Sequence, residues 1–312
     1  MCAAFPPESL PSGIIRYMTK KRPSAYAPAR SSPGARLWIP LAVVAVVALL
    51  VLLKLVRPTT TNANDNKPIA ASVLQALTTV PAASFAKAAS TATQPGSGPF
   101  GGSSTPWTVG GKPVFYYFGF EFCPYCAASR WSMVVALARF GTWSGLEYMT
   151  SSGTDYYPGT KTVTFIHAKL TSQYVDFQSV ENATNLPGNG PNGYGPLQQP
   201  NATQSAALQK YDNVPYLPSA QQAGGAPFID IANRYLWAGT LYDPGYLAGM
   251  DWTAIANAAH NGTAPAGTSI LAGANALTAE ICAVDGNHPG AVCTSPTIAA
   301  LLKAQPRPAT TG

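Results

Sequence analysis

"KPVFYYFGFEFCPYCAASRWSMVVALARFG", residues 112–141, decides the fold. Its opening, "KPVFYYFGF", is a run of aromatic and β-branched residues without alternation, the pattern of a strand buried on both faces. Two cysteines, Cys123 and Cys126, follow at once, with Pro124 and Tyr125 between them. Beyond them Ala127, Trp131, Val134, Val135 and Ala138 recur at helical spacing. Met133, Leu137 and Phe140 widen that stripe, Ser129, Ser132 and Arg139 form a narrower polar side, and Gly141 is a natural stop. The order strand, Cys-x-x-Cys, helix makes Cys123 the N-cap and puts Pro124 at the first helical position, where a missing N–H costs little. The unpaired N–H groups and the helix dipole at that mouth favour a thiolate on Cys123, the attacking species in disulfide exchange. Cys126, one turn in and less accessible, is spaced to resolve the mixed disulfide. This chemistry requires the sulfurs to reach solvent, and burial of both would count against it.

A second signal comes about a hundred residues later. "GGAPFID" sets Pro227, preceded by the small residue Ala226, at the start of a strand, and "NRYLWAG" supplies the next strand. With "FEFCPYCAASRWSMVVALARFGTWSGL", "YDNVPYLPSA", "GAPFIDIANRYL" and the terminal "LTAEIC…VC", the chain resembles the thioredoxin-like superfamily. More narrowly, it resembles the membrane-anchored bacterial and archaeal proteins grouped as domain of unknown function 929. The resemblance covers most of residues 69–293. It implies an α/β, thioredoxin-like fold: a central mixed β-sheet flanked by helices, with an insertion between the Cys-x-x-Cys helix and the cis-proline strand. It also implies that Cys123 and Cys126 are the active pair and that a cis Pro227 faces them, leaving the backbone at Ala226 to present an extended substrate. Pro124, Tyr125, Glu121 and Phe122 surround that pair. Many relatives carry a buried carboxylate six residues before the first cysteine. Here that position is Tyr117, and the nearest acid, Glu121, is expected to be solvated.

The charge distribution points to a membrane. The net charge is +6 over 312 residues, yet residues 1–57 alone carry eight Lys/Arg against Glu8. The remainder holds eleven basic and twelve acidic residues, so the main domain has no basic surplus with which to bind nucleic acid. Leu37 to Leu53, "LWIPLAVVAVVALLVLL", is uncharged, and with "KLV" it reaches the roughly 20 residues a bilayer requires. Residues 37–56 are therefore expected to be a transmembrane signal-anchor in the lipid bilayer. Pro40 falls in its first turn, and Trp38 and Lys54 suit the two interfaces. Arg16, Lys20, Lys21, Arg22, Arg30 and Arg36 precede it. The positive-inside rule then gives a single-pass cell-membrane protein with a cytoplasmic N-terminus and an extracytoplasmic C-terminal domain.

The expected organisation is a disordered cytoplasmic tail over 1–36, the anchor over 37–56, an Ala/Thr/Pro/Gly-rich linker over 57–106, the thioredoxin-like domain over 107–296 and a disordered tail over 297–312. Within the linker "SVLQAL" and "SFAKAA" suggest short helices, and "QPGSGPFGGSS" a flexible spacer. "GLEYMTSS" reads as a strand, and "KTVTFIHA" and "QYVDFQSVE" as a hairpin. Residues 182–203 read as a surface excursion and "QSAALQKYD" as a helix. "GYLAGMDWTAIANAAHNG" and "ILAGANALTAEICAV" are the closing helices. No internal repeat is evident.

Other chemistries fit the cysteines less well. Half a zinc site would need two further ligands, and Cys282 and Cys293 are spaced more widely than in usual zinc knuckles. His167, His260 and His288 show no copper-ligand spacing with the pair. A purely structural clip closing so small a loop gains little. Cys282 and Cys293, four cysteines outside the membrane having even parity, are expected to form a structural disulfide. Phe120, Phe122, Tyr125 and Trp131 are expected as an apolar collar about the active pair. Asn182, Asn201 and Asn261 head Asn-x-Thr sequons. The expected activity is thiol–disulfide exchange on thiol-containing envelope or secreted proteins or small thiols. It needs no metal or organic cofactor; a membrane redox partner is one candidate electron partner, which the sequence does not identify. The alternative is a non-catalytic thioredoxin-fold scaffold or chaperone, with residues 182–224 as its binding surface.

Overall fold

The computed structural model describes residues 43–44, 46–47, 62–190 and 192–304. The chain starts with helices α1 (Ala71–Thr78) and α2 (Ala82–Lys87), then short strands β1 (Phe100–Gly101) and β2 (Thr108–Val109), the long strand β3 (Lys112–Gly119) and helix α3 (Pro124–Leu137). Strands β4 (Gly141–Ser144), β5 (Glu147–Thr150), β6 (Lys161–Thr164), β7 (Lys169–Ser172), β8 (Asp176–Glu181), β9 (Ala183–Pro187) and β10 (Tyr194–Pro196) follow. Helix α4 (Ala202–Tyr211), strands β11 (Phe228–Ile231) and β12 (Tyr235–Ala238), and helices α5 (Trp252–Asn261), α6 (Ala266–Val284), α7 (Gly290–Cys293) and α8 (Pro296–Ala304) complete it.

The result is a mixed α/β domain with a mixed central sheet flanked by helices. β3 is its middle strand. It runs parallel to β8 and antiparallel to β11, which pairs antiparallel with β12, and β12 in turn with β1. The unbroken apolar run in β3 follows from this position: Phe115 and Tyr117 face α3 and the main core, while Val114 and Tyr116 pack on the opposite side with Trp107 and Leu208. β11 and β12 divide likewise, Ile229, Ile231, Tyr235 and Trp237 to one face and Phe228, Leu236 and Ala238 to the α4 side. Helix α3 packs against α6 on the same face of the sheet, so the Ser129 and Ser132 side expected to be polar surface is buried too. Ser132 donates to the Ile270 carbonyl of α6 at 2.7 Å, and a Cβ at Gly273 would come 2.6 Å from the Ser132 hydroxyl. Only glycine lets these helices approach so closely.

Several expectations change. Residues 62–106 are a packed part of the domain rather than a tether: Val73, Leu77 and Phe85 enter the core, and the Phe100–Gly101 stretch adds a strand to the sheet edge. The Gly102 and Ser103 N–H groups bond the Arg234 and Asn233 carbonyls, and a Cβ at Gly102 would overlap the Asn233 carbonyl, so the glycines serve close backbone approach. The expected disordered tail begins as α8, with Ile298 fully buried; residues 305–312 lie outside the described residues. "KTVTFIHA" and "QYVDFQSVE" do not pair, because β6 bonds β5 and β8 completes the central sheet. Of the expected anchor only Val43, Val44, Val46 and Val47 are described, helical and exposed. The rest of 37–56 and the tail 1–36 lie outside the described residues. Among those residues α6 is long and apolar enough to cross a membrane by length and composition, but it is mostly buried as the domain's core helix.

Candidate active site

The register of the sheet brings the pieces together. Phe118 pairs with Phe228, so Pro227 stands at the end of β3 from which the cysteine loop departs. Gly119 pairs with Glu181, so the end of β8 stands on the other side of that loop. The Ala226–Pro227 peptide is cis. Cys123 is the N-cap of α3, with Pro124 first in the helix; the Cys126 N–H donates to Cys123 Sγ at 3.5 Å. Cys123 Sγ lies 3.8 Å from the Ala226 carbonyl oxygen, which makes the cis-proline loop the immediate neighbour of the first cysteine.

The sulfurs are not at the surface. Cys123 and Cys126 are each 0 % exposed, so the expected access of the first sulfur to solvent is not met. The cover is aromatic. Phe120, Phe122, Ala183 and Ala226 enclose the pair, with Tyr125 and Tyr194 packed against them. Phe122 stacks on Tyr194 with centroids 4.0 Å apart and on Phe120 at 5.0 Å. Tyr125 meets Tyr157 edge to face. Tyr194 and Ala183 belong to the β9–β10 hairpin, so the segment expected to be a surface excursion is the roof of the cysteine pair. Trp131 is not in this collar: it lies in the main core and donates its indole N–H to the Lys161 carbonyl.

Beneath the pair lies a charged network. Glu121, expected in solvent, is 1 % exposed. Its carboxylate accepts from the Thr164 hydroxyl and lies 3.3 Å from the Arg130 guanidinium. Arg130, fully buried, makes a two-pronged contact with Glu181 at 2.8 and 2.6 Å and donates to the Phe120 carbonyl. The Tyr117 hydroxyl reaches Glu181 at 3.5 Å. A Cβ at Gly119 would overlap that hydroxyl and come 3.0 Å from Cys126 Sγ, so the phenol and the second sulfur line the same gap. Burial pushes the Glu121 carboxyl up to about 8, with Arg130 opposing and Glu181 adding to the rise; burial also raises Glu181. One guanidinium faces two buried carboxyls, an arrangement that favours a proton on the pair.

Arg130, Glu181 and the Tyr117 hydroxyl were missed from the sequence. A signal existed for Arg130: it sits three residues after Ala127 and four before Val134, on the apolar stripe, where a charge must find a buried partner. Cys282 and Cys293 form the expected disulfide, tying the end of α6 to α7. Asn201 uses its side chain in the capping box of α4, while Asn182 donates to the Gln198 carbonyl and Asn261 is exposed. His167 contacts Glu147, and His260 the Ala76 carbonyl. Among the described residues no group of three or more His, Cys, Asp or Glu could hold a metal ion. A cavity of about 430 Å³ beyond Tyr157, lined also by Lys161, Leu247, Met250 and Asp251, contains neither sulfur.

Fold and site together define a mixed α/β domain whose Cys-Pro-Tyr-Cys helix mouth is set between a cis-proline and a buried acid–arginine network. The family described as Domain of unknown function (DUF929) matches over residues 99–188, which takes in the cysteine pair, Arg130 and Glu181 and stops short of Pro227. No curated protein matches the chain, and no solved structure does.

Proposed function

We propose that the protein is a thiol–disulfide oxidoreductase on a thioredoxin-like fold, acting on thiol-containing envelope or secreted proteins. The strand order β12-β11-β3-β8, with α3 and α6 on one face and α4 on the other, supports that fold. The observation that carries the activity is the 3.8 Å approach of Cys123 Sγ to the carbonyl before cis Pro227. A cysteine at a helix N-terminus has its thiolate favoured there, and the adjacent extended backbone suits a polypeptide substrate.

In the reducing direction the Cys123 thiolate attacks one sulfur of a substrate disulfide. A mixed disulfide forms, and the departing substrate thiolate takes a proton from solvent. Cys126 then gives up its proton and attacks Cys123 Sγ, releasing the second substrate thiolate and leaving the Cys123–Cys126 disulfide. The carboxyl pair, holding one proton between two oxygen acids, can take the proton of Cys126 in this direction and return it in the other. A dithiol of a membrane redox partner, which leaves as its disulfide, or two equivalents of a small thiol, which leave joined as one disulfide, restore the reduced pair. The anchor over 37–56 and the charge asymmetry about it support an extracytoplasmic domain tethered to the cell membrane. The Cys282–Cys293 disulfide agrees with an oxidising compartment.

The test is Cys126→Ala in cells: mixed disulfides through Cys123 accumulate on envelope proteins. The closure of both sulfurs favours a second reading, a scaffold or chaperone that retains the pair for packing. Absence of mixed disulfides with partner binding unchanged would select it.

A further inference from the structure

We propose that Tyr194 is the gate of the cysteine pair and stands in for a substrate side chain: the hairpin lifts to admit substrate, and the vacated face of Phe122 takes an aromatic residue next to the substrate cysteine. This rests on the thiol–disulfide reading and adds to it both a gate and a substrate preference.

Three observations carry it. First, Tyr194 packs on the aromatic cluster that encloses the sulfurs. The Tyr194 ring lies on Phe122 with centroids 4.0 Å apart and planes 6° from parallel, and its hydroxyl donates to Ser152 Oγ at 2.8 Å. Second, β9 and β10 form a two-stranded sheet separate from the central one, with an irregular register between Tyr194 and Pro196. Such a ribbon is marginal alone and depends on its side-chain ties. Asn185 provides them, donating to the Thr150 carbonyl at 2.9 Å and to Asp65 at 3.1 Å. The base is held more firmly: the Glu121 N–H bonds the Ala183 carbonyl, Asn182 N–H bonds Gly119, and Leu197 N–H bonds Asn182. The part that lifts is thus residues 185–187 with Tyr194, while the base stays. Third, the ring that leaves uncovers a stack already built for an aromatic. Phe118 meets Phe120 edge to face, and Phe120 stacks on Phe122, beside the Ala226 carbonyl that contacts Cys123. A flat apolar face of this kind favours another ring over an aliphatic chain of equal area.

The experiment follows alkylation of the reduced full-length protein in detergent by iodoacetamide, with the modified cysteine located by peptide mass mapping. Cys123 in the wild type reacts far more slowly than a cysteine in an unstructured peptide. Tyr194→Ala raises its rate roughly ten-fold or more through loss of the stack. Tyr194→Phe, which keeps the stack and loses the Ser152 bond, raises it only roughly two- to five-fold. Asn185→Ala, which cuts the ties to Thr150 and Asp65 and leaves the Tyr194 ring in place, also raises it and guards against misfolding of the Tyr194→Ala variant, with thermal unfolding as control. Equal rates in wild type and both alanine variants, or a wild-type rate already that of an open peptide, overturn the gate. For the preference, Cys126→Ala protein is offered peptide disulfides with Phe or Ala beside the cysteine. Trapping favours Phe several-fold, and Phe122→Ala abolishes the difference; equal trapping overturns the substrate assignment. If Tyr194→Ala exposes Cys123 to alkylation but Cys126→Ala traps no peptide at all, the oxidoreductase reading fails while the gate stands.

Discussion

Glu121→Gln is the sharpest probe of the proton kept beneath the cysteines. The amide preserves volume and an acceptor for the Thr164 hydroxyl, and it leaves Arg130 with both contacts to Glu181. Titration is what changes. Burial pushes the Glu121 carboxyl from its ordinary 4.5 up to about 8. Between those values the folded chain holds a proton that the unfolded chain has released. Stability from this group is therefore full below about pH 4.5 and falls as pH rises, until the folded carboxyl also ionises near 8. The slope is about 1.4 kcal/mol per pH unit for one proton. From pH 5 to pH 7 the wild type should thus lose about 2–3 kcal/mol that the glutamine variant keeps. Glu280, raised to about 8, and Asp230 and Asp212, each raised to about 7, all by burial, tilt both proteins alike. The difference between the two curves isolates Glu121. Urea unfolding followed by tryptophan fluorescence at half-unit pH steps measures it. Parallel curves for the two proteins between pH 5 and 8 would mean Glu121 is ionised throughout, and the pair then has no proton to exchange with Cys126.

Three further outcomes follow from the same contacts. Arg130→Met removes the cation between two buried carboxyls and should cost about 3–5 kcal/mol at pH 8, with the loss shrinking toward pH 5 as those carboxyls protonate; unfolding at the two pH values measures both figures. Gly119→Ala drives a methyl into the gap between the Tyr117 hydroxyl and Cys126 Sγ, so it should destabilise by about 1–3 kcal/mol and change the alkylation rate of Cys126 in the unlocked Tyr194→Ala background. Replacing Cys282 and Cys293 together by serine opens a link across a sequence separation of 11 residues and should cost about 2–4 kcal/mol; denaturant midpoints read this, while Cys123 alkylation stays unchanged.

What was legible in the sequence is what repeats locally. The β3 run, the α3 stripe, Pro124 at the helix start and the paired strands after Pro227 all follow from period and turn chemistry, and the structure has them. What escaped depends on partners distant in sequence. Glu121 reads as a solvated loop acid because nothing near it is basic until Arg130, and only the parallel pairing of Gly119 with Glu181 brings a second carboxylate to the same guanidinium. Ser129 and Ser132 read as a polar edge because a sequence does not reveal that Thr240 and Leu241 meet the first and α6 the second. Residues 62–106 read as a tether by composition, yet their small residues serve close packing: Phe85 enters the core, and the Asn275 amide bonds the Phe85 carbonyl.

Closure of the sulfurs and the charges beneath them bear on function in opposite directions, and their costs decide between them. A cysteine pair kept only for packing is well served by an apolar shell, and such a shell is present in Phe120, Phe122 and Ala183. It has no use for three buried ionisable groups alongside. Taking an arginine and two carboxyls out of water costs several kcal/mol per ion, and well-packed apolar residues of similar volume are often as stable or more so. Among the described residues Glu121 Oε2 and Arg130 Nη1 even lack a hydrogen-bond partner. An incompletely satisfied acid whose proton burial retains, set near a cysteine whose proposed resolving step must move a proton, is a poor structural device and a suitable chemical one. On the proposed reading, closure concerns when the pair reacts, and the network concerns whether it can.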